Sequence, residues 1–332
     1  MAHLIEKKKD GTHSIFTVGE SWHGLGVILN EAPTAADAIK HAQLDWTVSK
    51  RQVFIKPQLE TGNDMERVPD QFAIVRDSDE RIFGVTGKNY QPLQNSEAFR
   101  FFDPYVEALE AEYHSAGSLD NGKRIWVLAK IKRDDMEIVK GDSVQKYILL
   151  TNTHSGKHAV TGALTPIRVV CNNTLTMAMR NKSTKMFRAT HSNKMNKRLE
   201  EIQAEISMAD QSFKRAEEFY RAFAKKQVNK KMIDQILADT FEWSVSSDEE
   251  LSARENSFKN KQTETIMKLF EIGRGTDIKG VKGTAWGLYN AITEYVQHEK
   301  GKLQDKRLDS AWFGAGMKIN QRAFDSCAAL VS

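Results

Sequence analysis

The chain has 332 residues and a net charge of only +4, with 48 lysines and arginines against 44 acids, and this length allows two domains with cores of their own. No apolar run approaches the roughly 18 residues that span a bilayer, and no secretory signal is recognisable, so we expect a cytoplasmic protein without membrane contact. Only two cysteines occur, Cys171 and Cys327, which excludes a disulfide framework and zinc motifs built on paired cysteines.

The first third of the chain is predicted to mix strands and helices. Residues 1–30 look irregular, and Thr34 is predicted to open a short helix because Asp37 stands three positions later, as in a capping box. Aromatic residues at helical spacing predict a helix over 95–112, kinked by Pro104. Alternating apolar residues predict three strands, the last two forming a hairpin: 46–56, 71–77 and 81–87.

Three further strands are predicted in close order after residue 120. The second and third enclose the turn 153–156, whose glycine is typical of a hairpin. The stretch 166–182 is predicted to be a helix, with Pro166 in its first turn. Together these elements predict a β-β-β-α core. The strands are 122–132, 144–152 and 157–165.

After residue 190 no strand pattern remains. Apolar residues from Leu199 to Phe223 follow 3-4 spacing, which predicts one long helix with a narrow apolar seam. Packing within the same domain is the ordinary explanation for such a seam; self-association, giving a homo-oligomer, is the alternative. Four more helices are predicted, around 229–240, 258–272, 284–299 and 309–330.

These patterns predict an α+β fold in two parts. The first, residues 1–190, is an antiparallel-sheet domain containing the β-β-β-α core and a nucleic-acid groove. The second, residues 191–332, is a helical domain that supports the first or mediates assembly.

The charges are unevenly distributed along the chain. Residues 143–199 contain no aspartate or glutamate, where the average composition predicts about seven or eight over 57 positions. This acid-free segment carries +10, while the other 275 residues hold 38 basic and 44 acidic side chains, a net −6. Such a separation attracts anions to one region and predicts contact with nucleic acid. The ten cations are Lys146, Lys157, Arg168, Arg180, Lys182, Lys185, Arg188, Lys194, Lys197 and Arg198.

Aromatic side chains beside cations suit single-stranded nucleic acid, because bases stack on rings while cations hold phosphates. Phe187 lies in a polar stretch and is predicted to be exposed and to take part in binding, whereas Trp126 is assigned to core packing.

A glycine-rich loop precedes a predicted helix near residue 284. Gly275 and Gly280 have the spacing of a P-loop, but Val281 stands where that motif requires lysine, so the NTPase pattern fails. Three cations in the loop, Arg274, Lys279 and Lys282, could still contact a phosphate; a plain interhelical loop is the alternative.

No catalytic or metal site is predicted. His154, His158 and Cys171 are candidate soft ligands, but their spacing across a turn and the lack of a fourth ligand argue against a metal. No nucleophile elbow, zinc-protease or dinucleotide motif occurs, and no cofactor is implied.

Three strings carry a resemblance to a known family: RIFGVTGKNYQPLQNSEAF (81–99), YILLTNTHSGKHAVTGALTPIRVVCNNTL (147–175) and TAWGLYNAITEYVQHEKG (284–301). They are similar to the phage/plasmid-like proteins of prophages and conjugative plasmids, a family described as a domain of unknown function. The similarity covers Trp22 to Phe324, with TPIRVVCNNTL as its most specific part. It implies a mobile-element, cytoplasmic setting and no catalytic residues.

The β-β-β-α order is also similar in topology to ring-forming single-strand annealing recombinases, without any shared sequence motif. With the charge map, this favours a single-stranded DNA-binding protein, with strand annealing as a further step, in phage or plasmid DNA metabolism. Two alternatives stay open: an enzyme acting on nucleic acid or nucleotides, and an interaction protein whose basic face binds an acidic host partner.

Overall fold

The fold was analysed in a computed structural model, in which one large and one small β-sheet precede a helical half. Among the described residues no helix combines the length and the hydropathy needed to cross a membrane. The structure describes residues 5–19, 25–56, 65–108, 110–170, 173–174, 186–207, 210–243, 253–300, 310–312 and 314–332.

The large sheet has nine strands in the order β11-β10-β9-β7-β6-β1-β2, with β12 paired to β10 and β8 paired to β9. All of its pairs are antiparallel except β1 with β2. The strands are β1 Ile15–Val18, β2 Val27–Leu29, β6 Ala111–Leu119, β7 Arg124–Ile131, β8 Met136–Val139, β9 Asp142–Thr153, β10 Val160–Arg168, β11 Asn173–Thr174 and β12 Met186–Ala189.

The small sheet has the order β3-β4-β5 and is antiparallel throughout. The predicted hairpin over 71–87 is confirmed, and Glu80 completes its turn with a positive φ of 59°. These strands are β3 Val48–Ile55, β4 Glu66–Arg76 and β5 Arg81–Gly87.

Nine helices and one π-turn are assigned within the described residues. The capping prediction for α1 is confirmed, since the Thr34 hydroxyl accepts a hydrogen bond from the backbone N–H of Asp37. The helices are α1 Ala35–His41, α2 Asn95–Arg100, α3 Asp103–Glu107, α4 Met195–Ser207, α5 Asp210–Lys225, α6 Lys230–Phe241, α7 Ala253–Ile272, α8 Ala285–Glu294, continued by a π-turn over Tyr295–Glu299, and α9 Ala315–Ala329.

Three predicted elements differ from the structure. Residues 1–30 are not irregular throughout, because β1 and β2 form there. The helix predicted over 95–112 is two short helices followed by β6. Pro104 lies in the first turn of α3 and cannot donate to the carbonyl of Arg100, so α2 ends there.

The helix predicted over 166–182 is wrong where the structure describes it. Residues 166–168 extend β10, on which Pro166 pairs with Lys146 of β9, and residues 173–174 form β11. Residues 171–172 and 175–185 lie outside the described residues. The β-β-β part of the predicted core is confirmed, and its closing helix is not found among the described residues.

The apolar seam after residue 190 is divided between α4 and α5, with residues 208–209 outside the described range. Its described residues are 9% exposed or less, as packing within the chain requires. One continuous buried cluster includes β-strand residues such as Ile148 and helical residues such as Phe223 and Trp286. The sheet and the helical half therefore share a core across residue 190.

Two histidines with little solvent access, the buried His154 and the partly buried His114, make the fold sensitive to acid. Burial, helped by nearby positive charge, lowers the pKa of His154 to about 3 and that of His114 to about 4, from an ordinary 6.5. Both stay neutral in the folded chain but take up protons on unfolding below about pH 6.5. We therefore expect the free energy of unfolding to fall by about 1.4 kcal/mol per pH unit for each histidine between about pH 6 and pH 4.

Urea unfolding at several pH values checks this expectation. His154→Phe keeps a ring between Trp46 and Phe83 and should remove one histidine's share of the slope. The control is His41→Gln, which leaves both His114 and His154 in place. Equal slopes in His154→Phe and the wild type would contradict the assignment.

Candidate nucleic-acid interface

The β9–β10 hairpin separates the predicted cations into two groups. The two strands pair from Thr151 and Thr161 at the turn end to Val144 and Arg168 at the open end. Seven residues at about 3.3 Å each place these ends roughly 23 Å apart. The predicted binding residues therefore do not line a single surface.

At the turn end, four cations form what we call the basic corner: Lys157, Arg188, Lys194 and Lys197. Lys157 lies in the turn, and Arg188 of β12 pairs with Thr161 just beyond it. Lys194 and Lys197 flank the start of α4, which is tied to β12 because Arg198 Nε donates to the Arg188 carbonyl at 3.4 Å. Neighbouring elements thus bring together residues up to 40 positions apart.

All four side chains of the basic corner are exposed. Within the described part of the chain none of them forms an ion pair. Arg198 differs, because its Nη1 lies 3.0 Å from Glu201 and 2.9 Å from Glu205. The corner thus carries four positive charges without an ion pair among the described residues. Arg198 is not counted as a fifth, because Glu201 and Glu205 neutralise its charge.

The start of α4 adds to this positive potential. Its first turn contains no acidic residue, and Lys197 and Arg198 lie in it. The N-terminal end of a helix carries a partial positive charge, so cations there are unfavourable unless an anion lies nearby. The first turn of α4 is therefore electrostatically suited to a phosphate.

The turn of the hairpin is held by close packing on β5. A side chain on Gly84 would place its Cβ 2.5 Å from the Ser155 carbonyl oxygen, and one on Gly156 would place it 2.4 Å from Thr86 Cγ2. Gly156 also has a φ of +75°, which side-chain-bearing residues rarely adopt. These two glycines fix the position of Lys157 against the small sheet.

A second contact fixes the link between β12 and α4. Tyr90 stacks on His191 with ring centroids 4.6 Å apart, and the Gln91 N–H donates to the His191 carbonyl. Burial lowers the pKa of His191. Its hydrogen bonds to the backbones of Gln91 and His158 raise that pKa, but by less than burial lowers it. No local sequence pattern indicates this pair, because only the fold brings residues a hundred positions apart into contact.

Phe187 is not exposed, contrary to the prediction. It is 6% exposed, and both Phe187 and Ile202 of α4 flank Gly162 on one face of the sheet. Side chains alternate along a strand, so Arg188 faces the opposite side. The polar residues around Phe187 predicted exposure, but α4 covers this edge of the sheet.

Trp126 is buried as predicted and packs against Trp312.

Arg168 is also not available to a ligand. It is fully buried, and its Nε and Nη2 donate to the two carboxylate oxygens of Asp142 at 2.7 and 2.6 Å. Trp286 Nε1 donates to the same carboxylate at 2.8 Å, and Arg168 Nη1 donates to the Arg274 carbonyl at 3.1 Å. Arg168 therefore joins the sheet to α8 and to the loop before it.

Lys146 lies away from the basic corner. It is half-buried and pairs with Pro166, five residues or about 17 Å along β9 from Thr151. Three other predicted cations, Arg180, Lys182 and Lys185, lie outside the described residues, as does Cys171.

The glycine-rich loop lies at the open end of the hairpin. Arg274 Nε is 3.8 Å from Glu294, and Lys282 Nζ is 2.8 Å from Glu271, whereas Lys279 is exposed. Gly275 packs so close to Arg168 that a Cβ would lie 2.8 Å from Nη2. The loop thus contributes to the buried Arg168 network and is not continuous with the basic corner.

The histidines considered as metal ligands do not meet. His154 is buried, with Nε2 3.0 Å from Asn95 Oδ1, while His158 is exposed. Across the described ranges, no group of three or more histidine, cysteine, aspartate or glutamate side chains could hold a metal ion.

Comparison with known proteins places the chain in a family. Residues 82–312 match the family described as Domain of unknown function (DUF932), which is more than half of the chain, so the protein belongs to this family. No curated protein and no solved structure matches the chain. The matched range includes both sheets in part, the whole basic corner and α4 to α8.

Proposed function

We propose that this member of the DUF932 family binds single-stranded DNA through the basic corner, in the DNA metabolism of a phage or plasmid. The four exposed cations at the hairpin turn, β12 and α4, without an ion pair among the described residues, carry the proposal. Side chains that bind phosphates have to be accessible and uncompensated, and these four meet both conditions.

The preference for single-stranded over duplex DNA in this proposal does not come from the basic corner. It rests on the topological similarity of the predicted β-β-β-α order to annealing recombinases, of which the described residues keep the strands β7, β9 and β10 but not the closing helix. Strand annealing and a homo-oligomer that would hold two strands belong to the same proposal, as does a cytoplasmic setting.

Salt-dependent binding tests the proposal. Fluorescence anisotropy of a labelled oligonucleotide is expected to show binding that weakens with salt, because each neutralised phosphate releases counterions. Four contacts correspond to a slope of about −2.8 in log K against log salt for a single strand.

Duplex DNA and single-stranded RNA of the same length are the matched competitors. Duplex DNA tests whether the protein prefers a single strand, and RNA tests whether it prefers deoxyribose, independently of attraction to charge. Faster pairing of two complementary oligonucleotides would support annealing. Absence of binding to the oligonucleotide at 50 mM salt would refute nucleic-acid binding altogether.

A further inference from the structure

A groove of about 570 Å³ lies in the helical half, along α6 and beside Lys259 of α7. Its volume falls in the range of about 300–1,000 Å³ that small-molecule sites occupy. It is separate in sequence from the acid-free segment. Its lining includes Lys230, Lys231, Asp234, Ala238, Trp243 and Lys259.

The lining carries a net positive charge. Lys230, Lys231 and Lys259 provide three ammonium groups against the single carboxylate of Asp234, a net +2. None of these four side chains forms an ion pair with another described residue. Lys230 and Lys231 also stand in the first turn of α6, which has no acidic residue, so the helix dipole adds to their potential.

Trp243 gives the groove an apolar ring edge. Phe241 stacks on its indole with ring centroids 5.5 Å apart and an interplanar angle of 23°. Lys259 Nζ lies over the indole, 5.1 Å from its centroid, so a cation–π contact holds this ammonium group beside Trp243. A cation held in place beside an aromatic edge suits a ligand with an anionic part and an apolar, ring-shaped part.

We propose that this groove binds a nucleotide. Its phosphates would lie on Lys230, Lys231 and Lys259, and its base would lie against the edge of Trp243 and Ala238. The Asp234 carboxylate accepts hydrogen bonds and repels anions, so the ribose hydroxyls suit it and a further phosphate group does not. The ligand thus needs phosphate, hydroxyl and aromatic groups together.

Isothermal titration calorimetry on the full chain tests this, with adenosine diphosphate, adenosine and pyrophosphate as probes. We expect adenosine diphosphate to bind more tightly than either of the others, because only it satisfies both the cations and Asp234. Lys230→Ala, Lys231→Ala and Lys259→Ala together should weaken its binding at least tenfold. The matched control replaces Lys261 and Lys268, exposed lysines of α7 outside the groove, and should leave binding unchanged.

Asp234→Asn should lower the preference for adenosine diphosphate over pyrophosphate, since the negative charge that disfavours pyrophosphate is removed and the amide oxygen is a weaker acceptor. Absence of heat with adenosine diphosphate, or equal loss in the Lys261/Lys268 control, would overturn the site. Equal affinities for pyrophosphate and adenosine diphosphate would refute a nucleotide as the ligand of this groove. Oligonucleotide binding in the triple variant should equal that of the wild type, so failure here is distinguishable from failure of the basic corner.

Discussion

Replacing all four cations of the basic corner by alanine is expected to weaken binding of single-stranded DNA roughly 4,000-fold at 50 mM salt. Each contact on a single strand contributes about 0.7 to the salt slope, which is close to one decade of affinity between 1 M and 50 mM salt. The slope itself should fall by up to about 2.8. Anisotropy at four or more salt concentrations measures both quantities.

The matched control removes the same charge elsewhere. Lys214, Arg215, Lys268 and Lys318 are exposed residues of α5, α7 and α9 without an ion pair among the described residues. Their replacement by alanine should change the salt slope little, because counterions are released only from phosphates that the protein contacts directly. Equal losses in the two quadruple variants would show that net charge alone acts and would refute a localised interface.

Arg168→Met is expected to lower the free energy of unfolding by about 3–5 kcal/mol, and the thermal midpoint by roughly 10 °C. The substitution leaves the Asp142 carboxylate buried without its partner, and an uncompensated buried charge is costly. Trp286 Nε1 would still donate to that carboxylate. Thermal and urea unfolding of the full chain give the measurement.

Arg188→Met is the control, since it makes the same chemical change at an exposed position of the acid-free segment. We expect it to change stability by less than about 0.5 kcal/mol and to weaken DNA binding instead. The double variant Arg168→Met with Asp142→Leu should recover part of the stability, because no charge is then left buried. Unchanged stability together with weaker DNA binding in Arg168→Met would mean that Arg168 faces a ligand.

These two arginines also show why a charge count along the chain overestimates a binding surface. Both lie in the 57 residues without an acid, and no local sequence pattern distinguishes the buried arginine from the exposed one. Arg168 is neutralised by Asp142, which lies one residue before that segment and pairs across the hairpin from 26 positions away. A long-range ion pair of this kind leaves no local pattern.

Local interactions were recovered well from the sequence. Thr34 begins α1 by accepting a hydrogen bond from the backbone N–H of Asp37, three residues later, and β4 pairs with β5 across a short turn. The apolar seam from Leu199 to Phe223 specified helices because its spacing matches the helical repeat. Each of these features depends on residues within a few positions of one another.

The amino-acid sequence by itself therefore determined the α+β class, the order of most strands and the positive charge of residues 143–199. Only the tertiary structure decided which cations are accessible, because burial and ion pairing join residues far apart in the chain. It buried Phe187 under α4, placed Arg168 in the core and put Lys157, Arg188 and Lys194 on elements at the same end of the β9–β10 hairpin. The groove beside Trp243 likewise exists only where α6 and α7 meet.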